Sequence, residues 1–192
     1  MKPKEILIKT LKRSDKERGI RIINPNQELG NSHIKKADHN LVVMTDLHKM
    51  GHDDWVAIAA YYAMYHSASA LLSSIGLESK DHVATVSALE YFFGKEISKE
   101  ILKIFNDMHE RNEYVGNLEI EGRYIDKIWK AKRERENVQY GIELTYKKAD
   151  SIIRDARDFV SRMKLVMEGL DEKIVKIIVE KIKELKEESL KK

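Results

Sequence analysis

Cysteine is absent from this 192-residue sequence, which excludes disulfides, thiolate metal centres and a cysteine nucleophile. Proline occurs only twice and aromatic residues make up 7%, a composition that favours helices over sheets. An excess of one charge is missing too. With 35 basic against 32 acidic residues the net is +3, so where the basic residues lie matters more than their sum. No apolar run approaches the roughly 20 residues of a membrane span, and the N-terminal MKPKEILIKTLKRSDKER lacks the apolar core of a secretion signal. A cytoplasmic protein is the expectation. The chain also lacks G-x-x-x-x-G-K-[ST], G-x-G-x-x-G and G-x-S-x-G, so three common phosphate-binding and hydrolase signatures are excluded.

What is present is a strong helical pattern around one segment. Residues Trp55 to Gly76, WVAIAAYYAMYHSASALLSSIG, contain no Asp, Glu, Lys or Arg. Their spacing predicts a central helix started by Asp53 or Asp54 and ended by Gly76. Trp55, Ile58 or Ala59, Tyr62, His66 and Ser69 are expected on one buried face, and Ala57, Tyr61, Ala68 and Leu72 on a second. A helix apolar nearly all round must be covered by neighbours, and its small residues allow them to come close.

Around it, residues 3 to 18 read as a short amphipathic helix, and GIRIINPNQELGN as a connector. Asn31 or Ser32 is expected to cap a helix to about Met50. Further helices are expected over Ser79–Phe93, from Ser98 through Met108, over 125–138, over Thr145–Met167, and after Asp171. Between Glu113 and Gly122 the pattern YVGNLEIEG suggests a short strand, hairpin or structured loop. The expected division is residues 1–30 as an N-terminal helical extension and connector, 31–168 as a helical bundle with an insertion near 114–123, and 169–192 as a C-terminal amphipathic helix. The apolar stripe of that last helix suits packing on its own bundle or on a partner chain.

Two groups of residues could carry chemistry. The histidines are His33, His39, His48, His52, His66, His82 and His109. His48 and His52 have the i, i+4 spacing of two metal ligands, with Asp53 and Asp54 adjacent, but Gly51 interrupts them and no third ligand is identifiable. No metal and no cofactor is therefore expected. His66 lies on the apolar helix one turn from Tyr62, which suits a hydrogen-bonded core histidine. The other group is RERENVQYG, where Arg133, Arg135, Asn137 and Tyr140 could contact a phosphate; the plain alternative is a solvated charged helix end. RNEYVGN, with Arg111 and Asn112, begins in a similar way.

The run YYAMYHSASALL, a short Gly-containing turn and LESKDH resemble the signature of the HEPN superfamily, with Tyr61, Tyr62, His66 and His82 at matching positions. The likeness runs from about Ile34 to Met167 with one insertion and is closest to prokaryotic HEPN proteins encoded beside minimal nucleotidyltransferases. It implies an all-α antiparallel bundle that forms homodimers with a shared groove and handles RNA or nucleotides. Many such proteins are ribonucleases whose motif is an Arg followed four to six residues later by a His. The guanidinium steadies charge on a transferring phosphate and the imidazole moves the proton of the 2′-hydroxyl. Here Tyr140 stands where the His is expected. The nucleotidyltransferase-associated relatives commonly show an Arg, four residues, then Tyr, and Arg135 to Tyr140 fits that form, with Gln139 where an acidic residue is usual. A tyrosine with a pKa near 10 is a poor base at neutral pH.

The resemblance therefore implies a binder of RNA or nucleotide phosphates, toxin–antitoxin-like or nucleotidyltransferase-linked, with weak or absent ribonuclease activity. Its expected binding residues are Arg133, Arg135, Asn137, Tyr140, Tyr62 and His66, and Arg135 and Tyr140 are the best candidates for any catalysis. A non-catalytic dimeric interaction module that docks a nucleotidyltransferase or itself, and a metal-independent ribonuclease, are the rival readings.

Overall fold

In the computed structural model, residues 2–12, 19–107, 117–139 and 146–191 are described. Among them run eight helices and two short strands: α1 (Pro3–Lys12), β1 (Ile20–Ile22), α2 (Gln27–Lys49), α3 (Asp53–Ser74), β2 (Leu77–Ser79), α4 (His82–Phe92), α5 (Lys95–Asp107), α6 (Gly122–Gln139), α7 (Tyr146–Glu168) and α8 (Glu172–Lys191). The protein is an all-α bundle, as the composition and periodicity imply.

The charge-free segment forms α3, which lies in the middle and touches α2, α4, α6, α7 and β2. Ala57, Ala60, Ala63, Ala68 and Ala70 along it are fully buried. Small side chains let the surrounding helices close in, and α2 returns antiparallel along most of its length. One part of the expected burial is reversed. Trp55 is 60% exposed, and Ile58, Tyr62 and His66 are only half-buried. The face that holds them is the one side of α3 that its neighbours leave uncovered, while Tyr61 on the adjoining face is sealed in.

Several boundaries differ from the expected ones, each for a local reason. Helix α2 starts at Gln27 because the Asn26 side chain accepts from the Leu29 backbone N–H at 2.8 Å, four to five residues before the expected caps Asn31 and Ser32. The supposed connector holds β1, which pairs antiparallel with β2, Ile20 opposite Ser79 and Ile22 opposite Leu77. That pairing takes Ser79 out of the expected third helix, so α4 begins at His82, capped by Asp81 accepting from the Ala84 N–H. Ser98 sits inside α5 rather than at its start. His52, not Asp53 or Asp54, holds the N-cap position of α3.

Of the insertion, 114–116 lie outside the described residues. Residues 117–121 contain no strand, and Gly122 already belongs to α6. Leu118 and Ile120 are buried, and the segment is held by the Ile120 N–H donating to the Phe93 carbonyl at 2.7 Å and by Arg162 donating to the Glu119 carbonyl. At the ends of the chain, α1 and α8 pack on each other, and α1 also packs on α4. They bury Leu7, Leu11, Ile174, Ile178, Ile182 and Leu185. The apolar stripe of α8 is thus spent within its own bundle, and the helix runs to Lys191.

Candidate functional site

Helix α3 supplies the floor of the site through Tyr61, Tyr62, Tyr65 and His66, neighbours on adjoining turns. The wall beside them depends on a reversal at Gly76. Its φ of +88° is open to glycine at no steric cost, and a Cβ there would meet the Ile23 carbonyl oxygen at 2.8 Å. The chain turns, pairs β2 with β1, and delivers His82 back against α3. The Tyr61 hydroxyl lies 2.6 Å from His82 Nδ1, and the Tyr65 and His82 rings are 4.5 Å apart. The Tyr65 hydroxyl donates to the Ser79 carbonyl at 3.1 Å.

The protonation states follow from burial. Burial pushes the Tyr61 phenol well above its ordinary pKa, against the opposing pull of the Arg135 charge, so it stays a neutral hydroxyl, able to donate or to accept. His82 is held below its ordinary value by burial and by the charges of Arg135 and Lys132, which favours the neutral ring, and either neutral tautomer can bond the Tyr61 hydroxyl through Nδ1.

A second pair closes the other side. His33 of α2 and His66 of α3 place their Nδ1 atoms 3.2 Å apart, with ring centroids 5.4 Å apart. One must donate and the other accept, which requires opposite neutral tautomers. Burial, then the charges on His33 and Lys36, bring His66 down to about 4, and burial also lowers His33. His66 is therefore a satisfied histidine, but its partner is His33 and not Tyr62, whose ring is 6.4 Å away.

Arg135 reaches this floor from α6. Of the buried residues of that helix, Tyr124, Ile125, Ile128 and Ala131, the first, third and fourth follow at spacings of four and three, and Arg135 falls four further on, in line with them. Its side chain is 14% exposed, and its guanidinium carbon stands 5.1 Å from the Tyr61 ring centroid, a cation–π contact. Arg135 Nε is buried and has no hydrogen-bond partner among the described residues. Lys132 lies one turn earlier and pairs with Glu136 at 2.5 Å; Glu136 is 3.6 Å from Arg135 Nη2. The result is a guanidinium held on an aromatic face, with nitrogen donors still to be satisfied, beside neutral phenol and imidazole groups.

Not all the expected residues meet here. Arg133 and Asn137 are exposed. Each is two residues from Arg135, about 200° round the helix, so the three cannot face one groove. Tyr140, His109, Arg111 and Asn112 lie outside the described residues. Arg135, Tyr62 and His66 do share one region, but Arg135 sits on Tyr61 and His82 and the histidine pair lies across Tyr65. Lys132 and Tyr65 were not anticipated from the sequence, and His33 was named only as one of the seven histidines. His33 is readable once α2 and α3 fold back at residues 50–52, since that register pairs His48 with Asp53 and His33 with His66.

His48 is spent on structure: its Nδ1 is 2.7 Å from Asp53 and its Nε2 3.4 Å from Asp150, tying α2 to α3 and α7. His52 and His39 are exposed. Among the described residues no group of three His, Cys, Asp or Glu could hold a metal ion, and no helix is long and apolar enough to cross a membrane. No curated protein matches the chain. The sequence profile of the HEPN domain does, over residues 31–166.

Proposed function

The chain belongs to the HEPN domain family, and from that premise we propose that it binds the phosphates of RNA or nucleotides at Arg135, with little or no ribonuclease activity. One observation carries the reading: the Arg135 guanidinium is fixed on the Tyr61 ring with a buried Nε that no described residue satisfies. A buried cationic donor left without a partner costs free energy, and a phosphate oxygen is the acceptor that guanidinium geometry suits best. Lys132 adds a second cation one turn away. The proposed binding set is Arg135, Tyr62 and His66, with Tyr140 next in sequence after α6; Arg133 and Asn137, on the outer face of that helix, take no part.

Weak or absent catalysis is supported by the motif itself: Tyr140, a poor base at neutral pH, follows Arg135 where the ribonuclease pattern has a His. We further propose that the unit of function is 31–168, that two copies associate, and that the physiological partner is a nucleotidyltransferase in a toxin–antitoxin-like setting.

The test is thermal stabilisation by AMP or ATP. It is expected in the native protein, retained in Arg133→Ala and lost in Arg135→Ala. Single-stranded RNA incubated with the protein and chelator is expected to stay intact. Stabilisation that survives Arg135→Ala would remove the assignment, and Arg135-dependent cleavage would replace binding by catalysis.

A further inference from the structure

The uncovered face of α3 is longer than a phosphate site requires. Trp55, Ile58, Tyr62, Tyr65 and His66 share it by helical periodicity. Every other face of the helix is buried, yet here Trp55 is 60% exposed and the remaining four are half-buried. From Trp55 to Tyr62 is seven residues, about 10 Å at 1.5 Å per residue, more than one nucleotide occupies.

At its Arg135 end the strip is flanked by cations from both sides, with the Arg135 guanidinium carbon 5.1 Å from the Tyr61 ring centroid. From α2, the charge of Lys36 acts on the His66 imidazole; from α6, those of Lys132 and Arg135 act on His82. Three carboxylates near that end are already engaged. Glu78 pairs with Arg21 at 2.6 Å, Glu136 with Lys132, and Asp81 accepts from the N-terminus of α4. An aromatic floor between cationic rims is the arrangement that holds a strand whose bases are unpaired, because stacking needs a free base face and the backbone needs positive charge. A duplex offers neither bases nor the right width.

We infer that the open face of α3 is a base-stacking track for single-stranded RNA, leading from the phosphate held at Arg135 toward Trp55. This rests on the phosphate-binding reading and adds the polymer, its strandedness and its direction. Trp55 stacks on a base near the far end of the track, and Tyr62 on one nearer Arg135.

The sequence holds two tryptophans, so Trp129→Phe leaves Trp55 as the sole reporter. In that background, a 5′-phosphorylated 12-nucleotide single strand is expected to quench Trp55 saturably, and AMP or a 12-base-pair RNA duplex is not. Trp55→Ala, at a position too exposed to endanger folding, is expected to weaken single-strand binding about 5- to 150-fold, the range for loss of one stacked base. AMP binding is expected to be unchanged by Trp55→Ala, and Trp55→Phe to restore most of the affinity. The track is overturned if the 12-mer binds no tighter than AMP, if duplex binds equally well, or if Trp55→Ala leaves single-strand affinity intact. It is equally overturned if Trp55→Ala splits a dimer without touching RNA affinity, since the face then belongs between two copies of the chain. Binding of neither AMP nor 12-mer would sink the phosphate reading and the track with it, whereas AMP binding without a 12-mer advantage sinks the track alone.

Discussion

At the scale of single residues, the site is governed by which groups burial keeps neutral. His66 has an ordinary pKa of 6.5 that the fold lowers to about 4, with burial the main cause. Between those values the folded state binds fewer protons than the unfolded chain, so its stability rises with pH there. The contribution of His66 is complete above about pH 6.5 and is lost as pH falls toward 4. His33 and His82 are lowered as well and act with the same sign. Urea unfolding at pH 7, 6, 5 and 4 is therefore expected to show stability falling over that window, less steeply in His66→Gln; an equally steep fall in the variant would mean that the His33–His66 pair does not govern it. The motif around Arg135 shows what a sequence can and cannot disclose at this scale. Arg133 and Arg135 are the same residue type, and only the phase of α6, set by Tyr124, Ile128 and Ala131, separates the one that faces inward from Arg133 and Asn137, which face out. That phase was legible. The His33–His66 bond was not, because it depends on a register 33 residues long.

At the scale of elements, close approach is the recurring device. Gly30 on α2 faces α3 and α7, and a Cβ added there would meet Ser74 Oγ at 2.6 Å, Met167 Cε at 3.0 Å and the Ala70 carbonyl oxygen at 3.1 Å. Ser74 is buried and already donates to that same carbonyl, so it has little room to move. Gly30→Ala gains about 1 kcal/mol of helix propensity, but overpacking costs about 1–3 kcal/mol. We expect a net loss seen as a lower urea midpoint at unchanged slope; a higher midpoint would show that α2 and α3 are looser than described. The helices themselves were legible from apolar spacing and absent proline. The β1–β2 pair was not, since three-residue strands leave no periodic signal and the stretch reads as a turn-rich connector. Nor was the open side of α3: alternation of apolar residues shows that a helix needs cover, not where the cover stops.

For the molecule as a whole, the central rod fixes everything else. Four helices and β2 enclose α3, α1 packs on α4 and α8, and Arg135 of α6 stands on the Tyr61 ring, on the sealed face that adjoins the uncovered one. Family membership follows from the match over residues 31–166. If Arg135 grips a phosphate, that ion pair releases counterions and leaves a thermodynamic trace. The most direct measurement is the salt dependence of single-stranded RNA affinity for the native protein, Arg135→Ala and Arg133→Ala. The account predicts that Arg135→Ala reduces the slope of log K against log salt by about 0.7, one phosphate contact on a single strand, while Arg133→Ala leaves it unchanged. Identical slopes for native protein and Arg135→Ala would contradict it.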